Sequence, residues 1–233
     1  MIKLLLLLVK SKAAITALSM LFSIAVYSMV FGWLFAFGFV LLMFLHEYGH
    51  YMAARYRGID VGYIAFIPFI GAWTALAKVP HDAETDAFIG LAGPVAGTLA
   101  SLVCFLGGRY WGNDMLIALA YSGCVINLVN LLPVAVLDGG RITSVISPRL
   151  WLIGAPVLGL LFIVYPSPMF LLILILSWPQ LLAAWHSRHD ALAYFNAPIT
   201  TRLTYAVLYI GLIVVLGAAS YHLHETLATY QRR

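Results

Sequence analysis

His46-Glu47-Tyr48-Gly49-His50 puts two imidazoles and a carboxylate within five residues. On a helix, residues four apart stand one turn above each other on the same face. Both imidazoles can then reach one metal ion while the intervening Glu47 faces the water bound to it. The chemistry such a pattern supports is metal-assisted hydrolysis, with Glu47 as general base. The pentapeptide sits at the end of an apolar run that starts near Ala13 and holds no Asp, Glu, Lys, Arg or His before His46. Ionisable groups are costly in hydrocarbon, so three of them clustered there point to function.

Catalytic zinc takes three protein ligands and keeps a further position for water, so His46 and His50 need a partner. Of the nine acidic residues, Asp60, Asp82, Glu84, Asp86, Asp190 and Glu225 fall in polar loops or tails, Asp114 stands at the entrance of an apolar run, and Glu47 is the base. Asp138 remains. It ends the stretch Asn130-Leu131-Leu132-Pro133-Val134-Ala135-Val136-Leu137-Asp138-Gly139-Gly140-Arg141, where Pro133 stops regular hydrogen bonding and the two glycines permit an unwound turn that brings the carboxylate back to the metal. Asn130, eight residues upstream, could steady an oxyanion or pin a substrate backbone, or else make a helix-helix hydrogen bond. Asn127, one turn earlier, reads as structural. The pair His186 and His189, and the group His222, His224 and Glu225, lie in polar flanks and read as solvated.

These residues must be positioned inside a membrane. The chain is 63% apolar, 9% charged, with mean hydropathy +0.97; one soluble core cannot hide so much hydrocarbon, and soluble domains carry about a quarter charged residues. The expected class is an all-α polytopic membrane protein. At about 20 apolar residues per crossing, the run Ala13 to Met52 allows two helices with a turn at Gly32 to Trp33. Further spans read as Ala87 to Leu106, Met115 to Val136, Arg149 to Tyr165, Pro168 to Trp185 and Leu203 to Tyr221. That gives seven, or six if the short pair around Tyr165-Pro166-Ser167-Pro168 is one broken helix. Ile2 to Val9, flanked by Lys3, Lys10 and Lys12, is too short to span and reads as an interfacial segment, with no signal peptide to remove.

Between the second and third spans, residues 61 to 77 are too apolar for an ordinary loop and rich in β-branched and aromatic types around Pro68 and Gly71. They read as a membrane re-entrant hairpin beside the site, because strands at membrane depth must be buried or line a cavity. On the third span, Gly90, Gly93 and Gly97 form a small-residue stripe for close helix packing, taken here against the helix carrying the motif. Cys104 and Cys124 both fall in apolar runs, which excludes a disulfide scaffold or a cysteine-rich zinc site as the organising feature.

With an inside N-terminus, ten of the thirteen basic residues collect on the inner side, while Arg109, Arg232 and Arg233 fall outside. The motif then lies nearer the cytoplasmic face. The net charge of +4 suits an anionic membrane face and not nucleic acid, since basic residues do not cluster with interleaved aromatics. Nothing marks a second domain: the chain reads as one transmembrane domain over 1–233, with a core at about 13–150 and additional C-terminal spans at about 149–221. The oligomeric state is not legible.

HEYGH in an apolar helix, the hairpin with Pro68-Phe69, Ala92-Gly93-Pro94, and NLLPVAVLDGGR together resemble the site-2 protease family of intramembrane zinc metalloproteases. The resemblance covers roughly residues 13 to 150. It implies a three-helix core holding Zn²⁺ by His46, His50 and Asp138, with Glu47 as base and Asn130 assisting, and transmembrane proteins in the bilayer as substrates. It also implies a minimal, bacterial member in the cytoplasmic membrane, without a PDZ or CBS domain. Two positions depart from the pattern: Val136 stands where many members have a second proline, and Gly97 where many have an asparagine. The first concerns loop shape and the second helix packing.

The expected activity is zinc-dependent cleavage of transmembrane segments of membrane-anchored substrates, by metal-activated water. The competing readings are a non-proteolytic metal-binding or transport protein, and a pseudoprotease scaffold. The former predicts polar groups spread along several helices; the latter is disfavoured by the retained Glu47.

Overall fold

The computed structural model describes residues 11–186 and 193–231. The interfacial segment expected at Ile2 to Val9 lies outside them, as do His189, Asp190 and the terminal arginines. Helix α1 spans Lys12–Phe31 and α2 Trp33–Tyr56; strands β1 (Val61–Ile67) and β2 (Gly71–Leu76) follow, then α3 (Ala83–Trp111), α4 (Asp114–Asn130), α5 (Asp138–Ile146), α6 (Trp151–Val164), α7 (Pro168–Trp185) and α8 (Ile199–Gln231). Among the described residues four helices are long and apolar enough to cross a membrane: α1, α3, α7 and most of α8. Helix α2 has the length, with 24 residues, but its own motif makes its second half polar.

Local signals set the boundaries. Gly32, at φ +79°, both ends α1 and opens α2, so the apolar run from Ala13 breaks where the sequence placed a turn. Asp82 caps α3 through a 2.6 Å bond from the Thr85 amide, with Glu84 and Asp86 on the positive end of the helix dipole. Burial opposes the charged form of Asp82, yet its hydrogen bonds from Thr85 and the charges of His81 and Arg57 prevail and hold its carboxyl below the ordinary range. Tyr165 to Ser167 separate α6 from α7, so the expected short pair is two helices.

The apolar segment after α2 is the antiparallel hairpin the sequence suggested, pairing Ile64 with Thr74 and Ile67 with Gly71. Its outer strand leans on α1. Lys12 Nζ donates to the Val61 carbonyl (2.7 Å); Ile64 N–H donates to Thr16 Oγ1 (3.0 Å), Phe66 N–H to Ser19 Oγ (3.3 Å) and Phe69 N–H to Tyr27 OH (2.9 Å). Those four side chains recur along one face of α1, and they satisfy main-chain groups that β2 does not pair. A sheet edge facing hydrocarbon would leave them bare at several kcal/mol each.

One expectation is corrected. The fourth span was read as continuing to Val136, with Asp138 at its broken end. Helix α4 instead stops at Asn130, residues 131–137 cross without helix, and Asp138 opens the separate helix α5. Pro133 does interrupt the chain, but Gly139 and Gly140 are helical. A Cβ on Gly139 would run into the Leu131 carbonyl, and one on Gly140 into the Val134 carbonyl. They are small so that α5 can lie directly on the crossing segment, not so that it can unwind. Helix α3 is the central element, packing on α2, α4 and α5, while α8 covers α4 and α5.

Candidate metal centre

Helix α2 carries His46, Glu47 and His50 into the interior, where they are 4%, 6% and 4% exposed; Asp138 at the start of α5 is 8% exposed. His46 Nε2 lies 3.1 Å from His50 Nε2, 3.1 Å separates it from Asp138 Oδ2, and the same distance separates His50 Nε2 from Asp138 Oδ1. The ligand atoms of His46, Glu47 and His50 all fall within 4.8 Å of one another. The structure thus brings together His46, Glu47, His50 and Asp138, which the chain separates by up to 92 positions.

The imidazoles are aimed by groups behind them. His50 Nδ1 lies 2.7 Å from the Ile89 carbonyl, which can only accept, so Nδ1 carries the proton and Nε2 presents its lone pair. His46 Nδ1 lies 2.8 Å from Asn127 Oδ1, while Asn127 Nδ2 donates to the Gly123 carbonyl at 2.7 Å. That second bond settles which end of the amide faces His46, and the same tautomer follows. With both rings neutral, two lone pairs and a carboxylate converge on one point, an arrangement that a cation between them would stabilise. Ligand atoms about 2.0–2.1 Å from one tetrahedral ion stand roughly 3.3 Å apart, close to the 3.1 Å found here. The donor set fits Zn²⁺.

The small-residue stripe on α3 faces this cluster. A Cβ on Gly93 would overlap the His50 ring, and one on Gly97 would overlap the Asn127 amide. Gly97, read as a packing departure, is the space into which Asn127 projects. Glu47 is held separately: Thr74 on β2 donates to its Oε2 at 2.8 Å, with its main-chain carbonyl 3.1 Å from the same hydroxyl. Behind Asp138, Arg141 Nη1 stands 3.9 Å from Oδ1, and Arg141 Nε bonds Asp86 at 2.8 Å. Asn130 is half-buried at the end of α4.

Asn127, expected from the sequence to be structural, pairs with His46 and so supports the cluster itself. For Asn127 a polar amide in an apolar span was a usable signal; for Thr74 nothing local distinguishes it from other strand threonines. His222, His224 and Glu225 are exposed towards the end of α8, and so is His186 just after α7. Among the described residues, His46, Glu47 and His50 form the one cluster of three or more His, Cys, Asp or Glu able to hold a metal; Asp138 adjoins it.

The family model of Peptidase family M50 matches residues 34–117. A curated zinc metalloprotease of Methanocaldococcus jannaschii is 29% identical over 110 residues, which is 45% of this chain and 32% of that protein, so the chain spans about a third of its relative's length. A solved structure of the site-2 protease from Methanocaldococcus jannaschii aligns over 80% of this chain and 93% of that one, at 21% identity and a TM-score of 0.47.

Proposed function

We propose, from the match of residues 34–117 to peptidase family M50, that the chain is a zinc-dependent intramembrane endopeptidase cutting transmembrane segments of membrane-anchored proteins. The observation that carries this reading is the convergence of His46 Nε2, His50 Nε2 and Asp138 at 3.1 Å with the Glu47 carboxylate beside them. His46, His50 and Asp138 would hold zinc there, and it would supply a Lewis acid to polarise a peptide carbonyl and to lower the pKa of bound water to about 7.

The chain's own residues do the rest. Glu47, steadied by Thr74, accepts the proton of the attacking water and passes it to the leaving amine. Asn130 steadies the oxygen of the attacked carbonyl. A helical substrate hides its carbonyls in hydrogen bonds, so part of it must unwind before attack. Because α1 side chains occupy the outer side of β1, the edge of β2 is where an unwound segment adds, and Thr74 on that strand puts it next to Glu47.

The apolar helices α1, α2, α3, α4, α6, α7 and α8 are taken as seven crossings, with basic residues inward and the site nearer the cytoplasmic side of a bacterial inner membrane. A transport reading expects polar groups along a path through several helices. Here the buried His, Asp, Glu, Lys and Arg side chains among the described residues are His46, Glu47, His50 and Asp138, in one cluster, which favours an enzyme. The test is purified protein with a single-span model substrate. Wild type should bind about one zinc and cut; Glu47→Gln should bind zinc and not cut. Undiminished cleavage by that variant would sink the proposal.

A further inference from the structure

We infer that the C-terminal helix α8 is a working part of the metal centre, with Tyr209 and Arg202 as positioning residues that hold the two ends of the segment presenting Asp138. The inference rests on the metal-site reading above. It concerns residues well beyond the 34–117 stretch matched by the family.

Asp138 stands at the junction of two weakly self-supporting pieces. The crossing segment 131–137 has no helix to fix it, and α5 is only nine residues long, too short to be stable by its own hydrogen bonds. The carbonyl of Leu131 lies just past the last turn of α4, where no helical N–H follows to pair it. Tyr209 supplies the missing donor: its hydroxyl bonds that carbonyl at 2.5 Å, and both residues are buried. The Leu131 carbonyl in turn packs against Gly139, the residue next to Asp138, closely enough that a Cβ there would not fit. A displacement of Leu131 therefore moves the main chain that carries the third ligand.

The other end of α5 is tied by the same helix. Arg202 Nη1 donates to the carbonyl of Ile146, the last residue of α5, at 3.3 Å, while its Nε and Nη2 bond the carbonyls of Ala197 and Phe195 at 3.0 and 3.2 Å. A guanidinium at a helix C-terminus meets unpaired carbonyls and the negative end of the dipole. Between these two ties, Ile142 and Val145 of α5 lie in one buried cluster with Tyr205, Tyr209 and Leu216 of α8. Three contacts along α8 thus set where α5, and with it Asp138, stands relative to His46 and His50.

The experiment uses the full chain purified in detergent. Zinc affinity is read by competition with a chromophoric chelator, and ligand geometry by the visible bands of the Co²⁺-substituted protein. Tyr209→Phe removes only the hydroxyl and should weaken zinc binding roughly ten-fold, the lower end of what losing a supporting partner costs, and shift the Co²⁺ bands. Thr204→Val, which removes an exposed hydroxyl of α8 that bonds the Thr200 carbonyl at 2.9 Å, should change neither. Arg202→Gln should weaken binding and Arg202→Lys restore part of it; this pair carries the test if Tyr209→Phe does not fold. Wild-type affinity and an unchanged spectrum in both Tyr209→Phe and Arg202→Gln would overturn the inference while leaving the protease reading intact. A wild-type chain that takes up no metal overturns both.

Discussion

Thr74 Oγ1 lies 2.8 Å from Glu47 Oε2 and 3.1 Å from the main-chain oxygen of the same residue. The strand proposed to receive substrate and the proposed base are therefore one hydrogen bond apart. A hydroxyl offers one proton, and this one is directed to the carboxylate from a fixed strand, which orients the oxygen that must meet water. Removing the hydroxyl while keeping shape should lower kcat with little effect on KM or on zinc content. Thr74→Val is expected to lose about ten-fold in kcat, roughly 1.4 kcal/mol, and Thr74→Ser to retain most of it. Steady-state cleavage assays on the two variants decide the matter, and equal rates would refute it.

Asn127 fixes the tautomer of His46, so its loss should appear in metal affinity before anything else. Asn127→Leu is expected to weaken zinc binding about 10–100-fold, measured by chelator competition. Helical content read by circular dichroism should be unchanged. Wild-type affinity would mean that His46 finds its tautomer without help.

Gly93→Ala tests the close approach of α3 to α2. On an exposed helix this change stabilises by about 1 kcal/mol. Here the added methyl meets the His50 ring, whose Nδ1 edge is held by the Ile89 carbonyl one turn earlier on α3. The expected result is a helical protein that no longer binds zinc stoichiometrically, and full zinc occupancy would contradict the packing described.

Thr16→Val leaves the buried N–H of Ile64 without an acceptor, because β2 pairs the other side of that strand. A buried unsatisfied donor costs about 1–3 kcal/mol. The variant should melt at lower temperature in detergent while its zinc affinity stays near wild type. An unchanged melting temperature would show that water reaches that edge.

Chelation offers a check independent of substitution. Treatment with a strong chelator should abolish cleavage, and added zinc should restore it, since the ligands come from α2 and α5, elements that also pack on α3, α4 and α8. Irreversible loss would indicate that the metal also holds the fold.

The motif, Asp138, the hairpin and the small-residue stripe were readable from the chain because each depends on local spacing or on a residue type out of place in hydrocarbon. His46 and His50 share a face by the period of the helix. A lone acidic residue beside Pro133 and two glycines stands out in an apolar stretch. What tertiary structure alone decided is which faces meet. In a membrane, apolar residues surround a helix on all sides, so periodicity does not say that α8 covers α4, that Gly97 faces Asn127, or that Thr74 reaches Glu47. The start of α5 at Asp138 was hidden for a related reason: Gly139 and Gly140 argue locally against helix, and only the main chain of 131–135 packed against them explains why nothing larger fits there.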